Sequence, residues 1–115
     1  MKIPTDGKLL RIFIGEADRW KGQPLYEAIV EEARTRGLAG ATVWKGFMGF
    51  GAHSRLHTTK ILRLSEDLPI VIEIVDAAEK IEAFLPDLDR MVQEGLVTLE
   101  RADVILYRGP SRPRG

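Results

Sequence analysis

The run Pro69-Ile70-Val71-Ile72-Glu73-Ile74-Val75 constrains the fold more than any other stretch of the chain. A strand with one wet face alternates apolar and polar residues, whereas here β-branched side chains fall on both faces, so the run predicts a strand covered on both sides. Pro69 stands at its start, where a missing N–H does least harm to a sheet. Lys8-Leu9-Leu10-Arg11-Ile12-Phe13-Ile14, ended by Gly15, reads the same way. A large exposed apolar patch normally marks an interface. If helices cover only one face of such a sheet, the uncovered face, expected on Ile12, Ile14, Val71 or Ile72, calls for oligomerisation.

The remaining elements follow from periodicity and punctuation. After the polar stretch Glu16–Gly22, Pro24 suits a first helical position, Tyr26, Ile29, Val30 and Ala33 share one helix face, and Gly37 supplies a stop. Ala41–Lys45 predicts a second strand that runs at once into Gly46-Phe47-Met48-Gly49-Phe50-Gly51, where a long loop over residues 46–67 is expected. Thr59–Leu64 has β character as the loop's return limb, and Ser65-Glu66-Asp67 reads as a turn. Asp76 with Glu79 three residues on resembles a capping box, and Ile81, Phe84, Leu85, Leu88 and Val92 give the next helix its apolar face. Pro86 predicts a kink or restart near Leu85, and Gly95 closes the helix. Leu96–Tyr107 is a last strand, with an interruption expected around Arg101-Ala102. The order β-α-β-loop-β-α-β predicts one α+β domain of ferredoxin-like βαββαβ type over residues 1–115, an antiparallel sheet with two helices on one face. Residues 1–7 and 109–115 are expected as flexible ends.

Composition narrows function. The 17 basic and 17 acidic residues cancel, which argues against a nucleic-acid partner. No cysteine is present, so disulfides, thiolate metal sites and a Cys nucleophile are excluded. No apolar run reaches the ~18 residues of a membrane helix and the N-terminus lacks a signal-peptide stretch, so the expected location is cytoplasmic.

Ala41-Thr42-Val43-Trp44-Lys45-Gly46-Phe47, His57-Thr58 inside the loop, and Leu68–Val75 together resemble the PII signalling-protein superfamily. Gly46–Gly51, His57-Thr58-Thr59 and Ser65–Asp76 are similar to the PII-like family called domain of unknown function 190, from Leu9 to Arg108. The resemblance implies a homotrimer with sheets facing one another at its centre, ligand clefts between subunits and long loops projecting outward. In nucleotide-binding members an adenine nucleotide fills the cleft. By position, Gly46 and Phe47 would form the loop base, Val75 the strand end, and Arg108 one of two C-terminal basic residues, the second falling on Leu106. The glycine-rich second loop of those members has no counterpart, because Glu94–Leu99 passes almost directly from helix to strand. Family members are often encoded near fluoride-exporting channels, which implies a membrane channel or transporter as partner, or a small effector.

Other candidates come from the residues themselves. Gly46, Gly49 and Gly51 could bring backbone N–H groups to an anion, or act as hinges, and the absence of a Gly-Lys-Ser/Thr end excludes a true P-loop. Phe47, Met48 and Phe50 are expected to pack the loop on its own sheet, with base stacking or partner docking as the alternative. His53 and His57 are four residues apart, a spacing that could serve a metal only on a helix, and Ser54 beside them lacks an elbow and an orienting acid. Asp18-Arg19-Trp20-Lys21-Gly22 sets an aromatic between cations, so Trp20 or Lys21 is a candidate for lining the intersubunit cleft, with anchoring of a connection as the alternative. Glu31, Glu32, Arg34 and Arg36 read as the wet face of the first helix, and Arg108, Arg112 and Arg114 as a basic tail. The leading expectation is a non-enzymatic regulator binding a small anionic effector and signalling through loop 46–67. The alternative is a trimeric divalent-metal-handling protein of the cation-tolerance type, and a small hydrolase ranks third.

Overall fold

The computed structural model describes residues 6–51 and 67–110. In chain order these form β1 (Asp6–Gly15), β2 (Arg19–Trp20), β3 (Gln23–Pro24), α1 (Leu25–Thr35), β4 (Thr42–Lys45), β5 (Pro69–Ala77), α2 (Ala78–Met91) and β6 (Leu96–Asp103). The main sheet is antiparallel with strand order β4-β5-β1-β6, so the two most apolar strands sit in its middle, paired from Gly7 with Ala77 to Gly15 with Pro69. This is the expected ferredoxin-like arrangement. Among the described residues no helix is long and apolar enough to cross a membrane.

Both helices lie on the face carrying Leu10, Ile12 and Ile14 of β1 and Ile70, Ile72 and Ile74 of β5, which with Leu25, Ala28, Ile29, Ile81, Phe84 and Leu88 form the core. Three residues expected on the uncovered face, Ile12, Ile14 and Ile72, are therefore core residues beneath the helices. Val71 alone of that set is on the open face. Because directly paired residues project to the same side, the register lines up Trp44, Val71, Phe13 and Leu96 as an apolar belt across all four strands of the open face. The next row is polar: Thr42, Glu73, Arg11 and Thr98.

Several boundaries depart from the sequence reading. β1 begins at Asp6, so Asp6 and Gly7 are paired strand rather than free end. Residues 19–24 form a small hairpin, because Lys21 (φ 46°) and Gly22 (φ 84°) supply the left-handed pair of a two-residue primed turn. Asp76 is no helix cap. β5 runs on through Ala77, and the buried Asp76 carboxylate accepts the N–H groups of Ala77 (2.7 Å) and Ala39 (2.9 Å), tying the α1–β4 connection to the sheet. Helix α2 does not restart at Pro86: the ring is on the exposed side, as is Glu82, whose carbonyl loses its usual donor there, and water can replace it. β6 passes Arg101-Ala102 without interruption and ends at Asp103, not Tyr107. Thr59–Leu64 and Ser65-Glu66 lie outside the described residues.

Candidate functional site

The base of the long loop is fastened at one end of the sheet. Gly46 N–H donates to the Pro69 carbonyl (2.8 Å), and the Lys45 ammonium pairs with Glu16 (2.9 Å) just beyond β1. On the return side Glu16 N–H donates to the Leu68 carbonyl (2.8 Å) and Ala17 N–H to the Asp67 carboxylate (3.0 Å). The short turn Glu16–Asp18 thus holds both stems of the loop. Asp18 closes that turn, its carboxylate accepting Gly15 N–H (3.0 Å) and its carbonyl accepting Leu25 N–H (2.8 Å).

Gly46 is required by proximity, since a Cβ there would meet the Pro69 ring at 2.9 Å; a Cβ at Gly49 would press on the same ring at 3.1 Å, and at Gly51 it would meet nothing within 4 Å. Beside them Phe47, Met48 and Phe50 are 87%, 76% and 73% exposed. The expectation that they pack the loop on its own sheet is therefore wrong, since the glycines bring only the backbone onto Pro69 and turn the large side chains outward. Three adjacent apolar side chains in water favour an intermolecular role.

The other candidates are elsewhere. Val75 is six residues along β5 from Pro69, about 20 Å at a strand's rise. It shares that far end with Arg108, whose neighbour Tyr107 donates its hydroxyl to the Ala39 carbonyl (3.3 Å). Trp20 packs on the helix side of the sheet, with the Lys21 ammonium 5.2 Å from its ring centroid. One protomer therefore does not bring Gly46 and Phe47 together with Val75 and Arg108. Among the described residues no group of three or more His, Asp or Glu could hold a metal. His53, Ser54, His57, Arg112 and Arg114 lie outside the described residues.

Sequence reasoning missed a network on the open face. Arg11 Nε donates to Glu73 (2.8 Å), Arg11 Nη1 to Glu100 (2.9 Å), and Trp44 Nε1 to the other oxygen of Glu73 (3.1 Å). The Arg11 hydrogen bond, then that of Trp44, holds the Glu73 carboxyl below its ordinary range. The signal was a charge set inside the apolar stretch of each central strand, Arg11 and Glu73. Because Glu73 is held low, its contribution to stability is complete above the unfolded value near 4.5 and fades as pH falls through the lower folded value. Wild type should thus exceed Glu73→Gln in melting temperature at neutral pH, with the gap closing in acid. A gap unchanged between pH 7 and pH 3 would contradict this assignment.

Residues 7–104 match the family model DUF190, "Uncharacterized ACR". A UPF0166 protein of Aquifex aeolicus (strain VF5) is 42% identical over 98 residues, covering 85% of this chain and 92% of that protein. A UPF0166 protein of Methanocaldococcus jannaschii is 36% identical over 103 residues, covering 89% and 93%. Among solved structures, CPII from Thiomonas intermedia K12, a nitrogen regulatory PII-like protein bound to ADP, AMP and bicarbonate, superposes with a TM-score of 0.54 at 19% identity, over 95% of this chain and 97% of that one. That likeness establishes a PII-like fold.

Proposed function

The chain belongs to the DUF190 family, and from that membership and its PII-like fold we propose a non-enzymatic regulatory protein, a homotrimer that binds a small anionic effector in clefts between subunits. The observation that carries the reading is the pairing of an apolar belt on the open sheet face, Trp44-Val71-Phe13-Leu96, with two half-sites at opposite ends of one protomer. Neighbouring copies packed through the belt can set the Gly46–Gly51 end of one against the Val75 and Arg108 end of another. Arg108 then supplies positive charge to a cleft whose other wall is glycine backbone. The partner, a membrane channel or transporter in the family reading, would meet the exposed Phe47, Met48 and Phe50.

Regulation is a shift in populations. An effector touching Gly46, Phe47 and Val75 must favour one arrangement of the loop, and that difference in affinity is all that can change the surface shown to a partner. The small molecules bound to the Thiomonas protein set the first probes. Thermal unfolding of purified protein should rise with ADP, AMP or bicarbonate, since a ligand that binds only the folded state stabilises it by mass action. Cyclic dinucleotides and fluoride extend the anion set. A shift with divalent metals alone would instead support the metal-handling alternative.

A further inference from the structure

We propose that this protein carries a second ligand site, on the helix side of the sheet, for a small organic cation of guanidinium or primary ammonium type. A cleft of about 220 Å³ opens between the β2–β3 hairpin and the C-terminal end of α2, lined by Asp18, Arg19, Trp20, Leu25, Met91, Gln93 and Glu94. None of Gly46, Phe47, Val75 or Arg108 lines it, so it is separate from the anion cleft and stands or falls independently of it. It is below the ~300 Å³ at which pockets for larger ligands begin. The cleft is therefore sized for a ligand smaller than an adenine nucleotide.

Two carboxylates against one guanidinium in the lining, together with the negative end of a helix, favour a cation over an anion, and the Lys21 ammonium over Trp20 is its competitor. The last carbonyls of a helix lack intrahelical donors and its C-terminus carries partial negative charge, and α2 ends at Met91 in the wall of this cleft. Two carboxylates, Asp18 and Glu94, stand beside it, and Gln93 adds an amide. Against these stands Arg19, whose Nη2 donates to the Gly22 carbonyl of its own hairpin (2.9 Å). The indole of Trp20 supplies an aromatic wall, and a ring quadrupole attracts cations. The Lys21 ammonium already rests over that ring. Leu25 and Met91 give the apolar floor that an alkyl substituent would cover.

The test reads the Trp20 indole N–H by NMR during titration with methylguanidinium, and with inorganic phosphate at matched ionic strength. The two indole signals are assigned with Trp44→Phe. Methylguanidinium should move the Trp20 signal saturably in the millimolar range, and phosphate should leave it in place. Lys21→Asn removes a competing positive charge while keeping a residue that tolerates the left-handed turn, so it should tighten methylguanidinium binding severalfold. Asp18→Asn retains an acceptor for Gly15 N–H but loses the charge, and should weaken binding severalfold. Absence of a saturable shift, a response to phosphate instead, or weaker binding by Lys21→Asn would overturn the assignment.

Discussion

Ile72→Asp should abolish cooperative folding, while Val71→Asp, one residue away, should leave the domain folded and dissociate the proposed assembly. Ile72 is fully buried beneath both helices at the centre of the sheet. An unpaired carboxylate there loses its hydration with no partner, at a cost of about 4 kcal/mol or more, a large part of a small domain's ~5–15 kcal/mol. Val71 projects from the other face into the apolar belt, where a single chain leaves it part-exposed. Its replacement by Asp puts charge into the proposed intersubunit contact without entering the core. Circular dichroism melts report the first effect, and light scattering the second. A folded Ile72→Asp, or a Val71→Asp protein that keeps the wild-type mass, would contradict this division of faces.

The second large effect falls at the loop base. Gly46→Val should lower effector affinity about tenfold or more while the domain stays folded. A Cβ there meets the Pro69 ring at 2.9 Å, so the chain must retreat from Pro69, and the Gly46 N–H bond to the Pro69 carbonyl that seats the loop is lost or displaced. The constraint is this close approach rather than a left-handed backbone. Arg108→Ala removes an exposed charge, so its smaller effect should grow at low salt, where screening is weak. Calorimetry on wild type and both variants at two ionic strengths measures this. Unchanged affinity in both variants, with the assembly intact, would move the effector site away from this cleft.

How much of this was legible in the sequence depends on the range of each signal. β1, β5 and the two helices follow from apolar periodicity over seven or more residues, and the αβ order then implies the sheet. Which strand face the helices cover was misread at Ile12, Ile14 and Ile72, although Arg11 and Glu73, the charges that interrupt the apolar stretches 9–14 and 70–75, mark the opposite face. The hairpin at residues 19–24 escaped because two-residue strands have no period, leaving Lys21-Gly22 as the cue. Asp76 mimicked a cap by spacing alone. Beside the adjacent Ala77 N–H its carboxylate takes the N–H of Ala39, 37 residues away and beyond any local pattern. For the site, the resemblance gave Gly46 as the loop base and Pro69 read only as a strand start, so their contact, and the separation of Val75 and Arg108 from them, emerge only from the course of β5.

The central claim is an assembly of three copies with effector bound between them, and native mass spectrometry in ADP, AMP and bicarbonate tests mass and occupancy together. The account predicts a species of three 12.9 kDa chains carrying up to three effector molecules, with no ligand retained on the dissociated monomer. A ligand-free monomer as the main species under all three conditions, or an effector bound as tightly by the monomer as by the assembly, would contradict it.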